Sequence, residues 1–143
     1  MLPNPLLTLT EARPSPIHGL GIFAKTDIPA GTIWWRGSDT NLLHIHRTQY
    51  ETLIASTPSP VSRGLIENVH TYCYYSAERD ALLLILDNAR YTNHSPRPNS
   101  EILREPGAIG SVTIRDIRAG EEILEDYSSY DTCPWSKLQD TMA

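Results

Sequence analysis

Leu86-Asp87-Asn88-Ala89-Arg90-Tyr91-Thr92-Asn93-His94-Ser95-Pro96-Arg97-Pro98-Asn99 decides how the rest of the chain is read. An apolar run, Ala81 to Leu86, drives straight into this cluster of amide, imidazole and hydroxyl groups, and two prolines then stop it. Such a run bounded by turn signals fits a buried strand. The strand delivers polar groups to the edge of a core, where a group left unpaired costs about 1–3 kcal/mol. The partners are either local, with Asn93 and Ser95 bonding their own backbone in a turn whose exit Pro96 and Pro98 fix, or they belong to a ligand.

Composition bounds the rest. A chain of 143 residues, 40% of them hydrophobic, is long enough for one ordinary domain with a real core, and no second domain fits. Residues 1–7 have neither a basic start nor an uninterrupted apolar centre, and no later run approaches membrane-spanning length. The expected location is therefore the cytoplasm, with the nucleus or a host cell as alternatives. A net charge of −5 disfavours direct nucleic-acid binding and suits a basic peptide partner. Cys73 and Cys133 stand far apart without metal-ligand spacing, so free thiols are expected. His44-x-His46 has strand-compatible metal spacing but no evident third ligand, so no metal is expected.

Leu7-Thr8-Leu9-Thr10 alternates as a short edge strand does, before Pro14 and Pro16 break it. Gly19 and Gly21 flank Leu20, so the backbone there can take positive φ or lie bare against a neighbour. A strand bulge is the other reading. The pair lacks the third glycine and following helix of a dinucleotide site. Asp27-Ile28-Pro29-Ala30-Gly31 recurs as Asp116-Ile117-Arg118-Ala119-Gly120, each between strand-like runs, which predicts two similar hairpins facing each other in a mostly β domain. Between the copies, Thr48 to Glu51 has capping-box spacing. A second helix can begin with Ser59 as cap and Pro60 in its first turn, with Val61, Leu65, Ile66 and Val69 on one face. It should end near Tyr72-Cys73-Tyr74-Tyr75, an aromatic cluster that is either core or a pocket wall.

Three segments in order carry a resemblance: Ser15 to Ala24 with its Gly19-Leu20-Gly21, the central Arg90 to Ser95, and Ala119-Gly120-Glu121-Glu122-Ile123-Leu124-Glu125-Asp126-Tyr127. Together they resemble the SET-domain family of protein lysine methyltransferases, in the short stand-alone form of bacterial and viral members, from about Arg13 to Asp131. The resemblance implies a single mostly β, β-clip-like SET fold over 1–143, with a helical insert at about 48–72 and an aromatic tail at 128–143. It also implies a knot-like threading that would make residues 93–95 and 126–127 neighbours, an exception to the usual rule against knots.

The resemblance further implies S-adenosylmethionine as cofactor and methyl transfer to the ε-amine of a lysine in a basic protein or peptide. His18, Gly19, Leu20 and Gly21 would line the cofactor through their backbone. Arg90, Asn93 and His94 would contact its methionine and adenine parts, with Tyr72 at its border and Tyr130 or Trp135 over the adenine. Tyr127 matches the family's catalytic tyrosine, and Tyr74, Tyr91, Glu125 and Tyr127 would border the lysine channel. Read by itself, Tyr127 could equally be a buried tyrosine bonded to a backbone carbonyl.

Three departures from the family pattern stand out. Pro96 replaces a cysteine found in larger members, and Cys133 is alone where they have a cluster, so no structural zinc is expected. Glu125 stands where the family often has phenylalanine or tyrosine. A carboxylate facing the channel would favour the ammonium over the amine, unless it points to solvent. The peptide is expected to pair as an added strand, and a homodimer would enlarge the small binding surface. A non-catalytic scaffold of the same fold is the rival reading.

Overall fold

The computed structural model describes residues 2–56 and 60–136, excepting the side chains of 60–62. In chain order the elements are a helical turn, Leu6–Leu9 (α1), and strands Thr10–Pro14 (β1), Leu20–Ala24 (β2), Ile33–Arg36 (β3) and Leu42–His46 (β4). Helices Arg47–Ser56 (α2) and Pro60–Tyr72 (α3) lead to strands Cys73–Ser76 (β5) and Ala81–Ile85 (β6) and a 3-10 turn at Asn88–Tyr91. Next come strands Asn93–His94 (β7), Ser100–Ile102 (β8), Gly110–Thr113 (β9) and Glu122–Glu125 (β10), then a second 3-10 turn at Tyr127–Ser129. The fold is mostly β with few helices.

The strands form three small sheets, in the orders β1-β2-β10-β7, β3-β9-β8 and β4-β6-β5. All pairings are antiparallel except β7 with β10. The apolar run at β6 is explained by its two buried faces. Leu83 packs into a core with Leu6, Ile22, Ile28, Trp34, Trp35, Leu42, Ile117 and Ile123. Leu82, on the other face, joins Tyr50, Val69, Cys73, Tyr75 and Cys133.

The duplicated Asp-Ile-x-Ala-Gly phrases meet as expected, but as crossovers rather than hairpins. The first joins β2 to β3 and the second β9 to β10, while β2 pairs with β10 and β3 with β9. At the centre Ile28 and Ile117 exchange backbone bonds of 2.7 and 2.8 Å. Around them the aspartates reciprocate: Ala30 N–H donates to Asp116 Oδ1 at 2.8 Å, and Ala119 N–H to Asp27 Oδ1 at 2.9 Å. Gly31 and Gly120, at φ of 81° and 89°, make the matching left-handed turns.

Several local expectations need correction. Leu7 to Leu9 are a helical turn rather than a strand, because this buries Leu6 and lets Thr10 Oγ1 donate to the Leu6 carbonyl at 2.6 Å; strand pairing begins only at Thr10. Helix α2 begins before Thr48, with Gln49 Oε1 accepting from His46 N–H at 2.8 Å. On α3 Val69 is buried but Leu65 is 49% exposed, so the apolar face is narrower than its spacing suggests. Ser59, the expected cap, and the Val61 side chain lie outside the described residues, as does the end of the aromatic tail.

Candidate active site

The polar stretch after β6 is held by one carboxylate. Asp87 Oδ1 accepts from Ala89 N–H at 3.0 Å, capping the 3-10 turn. Its Oδ2 accepts from Trp35 Nε1 and Asn41 Nδ2, each at 3.0 Å, and from Asn4 Nδ2 at 3.3 Å. Those bonds anchor the turn that presents Arg90 and Tyr91 to a cavity of about 830 Å³, within the usual size of a small-molecule site. The Arg90 guanidinium stacks 4.7 Å from the Tyr91 ring centre and 5.6 Å from that of Tyr72. It donates to Leu86 O at 3.0 Å and to the Tyr91 hydroxyl at 2.7 Å. Among the described residues its Nε–H is buried without a partner, which marks a place for an acceptor that they do not supply.

Asn93 is buried, and its amide acts as a brace. Nδ2 donates to the carbonyls of His18 and Leu20 at 3.0 and 3.1 Å and to Glu122 Oε2 at 2.9 Å. The Ser15 hydroxyl lies 2.9 Å from both oxygens of Glu122. The loop Ile17 to Leu20 is thus fixed along the cavity mouth, with Gly19 at φ 44° making its bend. Gly21, expected beside the cofactor, lies off the cavity wall and serves packing instead. A Cβ there would stand 2.3 Å from Glu122 Oε2.

The parallel pairing of β7 with β10 sets Leu124 opposite Asn93 and Glu125 opposite His94. Ser95 N–H donates to Glu125 O at 3.0 Å, and Tyr127 N–H donates to His94 Nδ1 at 3.0 Å, so residues 93–95 and 126–127 are neighbours. This bond leaves the imidazole proton on Nε2 in the neutral ring. The Tyr127 hydroxyl donates to the Thr92 carbonyl. Its ring centre lies 5.1 Å from that of His94 and 5.3 Å from that of Tyr130, which in turn lies 5.7 Å from Tyr74.

Burial, and then the charge of Glu125, push the Tyr127 hydroxyl up to about 12. It is therefore protonated at neutral pH, with its proton committed to Thr92 O and lone pairs left over. The same two causes raise Tyr74 and Tyr130.

Glu125, whose direction the sequence left open, is only 3% exposed and lines the cavity. Its Oε2 accepts from the Ser100 hydroxyl and its Oε1 from the Tyr130 hydroxyl, both at 2.7 Å. Ser100 Oγ in turn accepts from Trp34 Nε1 at 2.7 Å. Desolvation raises the Glu125 pKa, opposed by hydrogen bonds from Ser100, Tyr130 and Ser111.

Of the residues singled out in the sequence, His18, Gly19, Leu20, Tyr72, Tyr74, Arg90, Tyr91, Asn93, His94, Glu125, Tyr127 and Tyr130 share this one cavity. Trp135 does not: it packs on Tyr50 and Tyr75 at 5.8 and 5.9 Å and donates to Asp80 at 2.9 Å. Trp34, Trp35, Ile102 and Ser111 line the cavity without having been foreseen. Trp34 and Trp35 belong to one core, and β3 shifts register between Ile33 and Trp35, so simple alternation along the strand did not reveal their place. His44 and His46 stack at 6.3 Å, and among the described residues no three His, Cys, Asp or Glu side chains are grouped to hold a metal. Nor is any helix among them long and apolar enough to cross a membrane.

Comparison with known proteins bears on the family and the fold. The sequence model of the SET domain matches residues 19–128. Among solved structures, a Plasmodium falciparum protein provisionally named a histone methyltransferase aligns with a TM-score of 0.55 at 22% identity, over 83% of this chain and 92% of that one. A humanized mutant of Chaetomium thermophilum Polycomb Repressive Complex 2, bound to the inhibitor GSK126, aligns with a TM-score of 0.55 at 20% identity. That alignment covers 87% of this chain but only 15% of the other. No curated protein matches the sequence.

Proposed function

The chain belongs to the SET-domain family, and from that premise we propose that it transfers a methyl group from S-adenosylmethionine to the ε-amine of a lysine in a basic protein or peptide. The observation that carries this reading is the convergence on one cavity of an unpartnered Arg90 Nε–H, the braced loop 18–20 and the Tyr127 hydroxyl.

These residues fit the cofactor's chemistry. When bound, S-adenosylmethionine supplies an electrophilic methyl on a sulfonium. Arg90 Nε–H would take its carboxylate, and the backbone of His18, Gly19 and Leu20 would line its flank. Tyr72, Tyr74, Tyr91 and Tyr130 form aromatic walls that shed water from the path of the displacement. The Tyr127 hydroxyl, its own proton held by Thr92 O, offers lone pairs that orient the acceptor N–H groups. A net charge of −5 favours a basic acceptor.

Calorimetric titration with S-adenosylmethionine tests the proposal, alongside Asn93→Ala and Tyr127→Phe. Wild type should bind at micromolar strength, Asn93→Ala more weakly and Tyr127→Phe nearly as well. Methylation of arrayed lysine peptides should fall about 100-fold or more in Tyr127→Phe, the scale of a lost positioning contact. A folded wild type that binds no S-adenosylmethionine would overturn the proposal in favour of a SET-fold scaffold.

A further inference from the structure

Lysine reaches an enzyme as an ammonium ion, and only the amine has a lone pair to accept a methyl group. Resting on the function proposed above, we propose that Glu125 is the base of this reaction, taking the surplus proton from the acceptor lysine inside the cavity. The carboxylate stands two residues before Tyr127, is 3% exposed and contributes to the cavity wall. Its fixed partners are hydroxyl donors, Ser100 on Oε2 and Tyr130 on Oε1, with the Ser111 hydroxyl beside them. Among the described residues no cation forms an ion pair with it. An entering ammonium would be its first counter-ion. A buried carboxylate is costly without one.

The other groups around it are poor candidates. Tyr74, Tyr127 and Tyr130 each hold their protons more tightly because of burial and the Glu125 charge, so none is a phenolate at neutral pH. Glu101, on β8, adds only a weak repulsion to Glu125. His94, on β7, already accepts Tyr127 N–H at Nδ1.

In water the proton would stay on nitrogen, since lysine and glutamate differ by about 6 pKa units. Burial raises the acid and lowers the amine, each by up to about 3–5 units. Attraction within the ion pair opposes those shifts, and methyl transfer, which consumes the amine, draws the proton across to Glu125. The balance is simple. An N–H bond of the ammonium breaks and an O–H bond forms on Glu125. The freed nitrogen lone pair forms the N–CH3 bond as the methyl–sulfur bond breaks. Products are methylammonium, a neutral thioether and protonated Glu125, which releases its proton to solvent.

A purely structural Glu125, tying β8 to Tyr130, would leave a deficit in its variants that does not vary with pH. The test compares kcat of wild type and Glu125→Gln between pH 6.5 and 9.5, on the best-methylated peptide from an array of basic lysine peptides. The expected deficit is about 100-fold at pH 7, within the usual range for general base catalysis. It should shrink about tenfold per pH unit as the free amine forms unaided.

Infrared difference spectra give a readout without turnover. Adding the same peptide to the complex with S-adenosylhomocysteine should produce a protonated-carboxyl band in wild type that is missing in Glu125→Gln. Tyr130→Phe, which removes one donor from the carboxylate, should move the acid limb of wild-type kcat to higher pH. A deficit constant with pH, a variant within threefold of wild type at pH 7, or no carboxyl band would overturn the Glu125 assignment alone. A wild type that binds S-adenosylmethionine yet methylates no peptide would overturn the methyltransferase reading and this inference with it.

Discussion

Asn93→Ala removes two N–H groups that serve three acceptors, and its cost can be worked from their surroundings. The bond to the Glu122 carboxylate at 2.9 Å is charge-assisted, a class worth about 1.5–3 kcal/mol, while bonds to the His18 and Leu20 carbonyls are worth about 0.5–1.5 each. His18 and Leu20 are exposed, so water can replace the lost donor there, and Glu122 keeps its bond from Ser15. The low ends of the ranges apply, giving a loss of about 2.5 kcal/mol. At roughly 4 °C per kcal/mol for a domain of this size, the melting temperature should fall by about 10 °C. Asn93→Asp should be worse at pH 7, because it sets a second carboxylate against Glu122 and two carbonyl oxygens, and it should recover towards Asn93→Ala as the pH falls to 4. Thermal unfolding followed by circular dichroism reads both. An Asn93→Ala protein melting within 2 °C of wild type, or Asn93→Asp matching it at pH 7, would refute the bracing role.

Gly21→Ala should drive Glu122 off Asn93, since the new methyl would stand 2.3 Å from Oε2; in urea denaturation its cost and that of Asn93→Ala should sum to more than the double variant loses. Asp27→Ala and Asp116→Ala should each cost about 1 kcal/mol, equal within about 0.5, because the two aspartates make the same bond to each other's loop; clearly unequal losses would contradict the pseudo-symmetry. Glu125 binds its proton more tightly folded than unfolded, so its contribution to stability declines as pH rises from about 4.3 through its raised folded value. Glu125→Gln should therefore melt higher than wild type at pH 8 and gain less at pH 4, and the opposite trend would count against a destabilised carboxylate.

Much of the site was legible because its residues break the rules for a core. Amides, a histidine and an arginine directly after Ala81 to Leu86 had to be paired by something, and that something proved to be loop 18–20, Tyr127 and an open cavity. Family resemblance then supplied the order of the three segments. What stayed hidden was pairing between distant strands. A glycine beside a ligand and one beside a glutamate look alike in sequence, so the closeness of Gly21 to Glu122 could not be read there. A hairpin and a crossover both need a turn between strands, and only the partners of β2 and β3 tell them apart. Trp135 and Tyr130 differ in destination because the chain at Asp131 bridges to Tyr75 on β5, carrying Cys133 and Trp135 to the other core.

The clasp between residues 27–30 and 116–119 also governs when the domain can form. Its two halves are separated by most of the chain, and β2, central in its sheet, has one neighbour that appears only at Glu122–Glu125. Early synthesis therefore yields a hairpin of β1 and β2 with one edge bare, and closure waits until the last strand has left the ribosome. Contacts of such separation slow folding and leave apolar edges open to other chains meanwhile. The length between the halves, in contrast, matters little, because closure entropy grows only logarithmically and doubling a loop costs about 0.6 kcal/mol. Residues can thus be added between α2 and α3 at small entropic cost, while truncation within β10 removes the strand that joins β2 to β7.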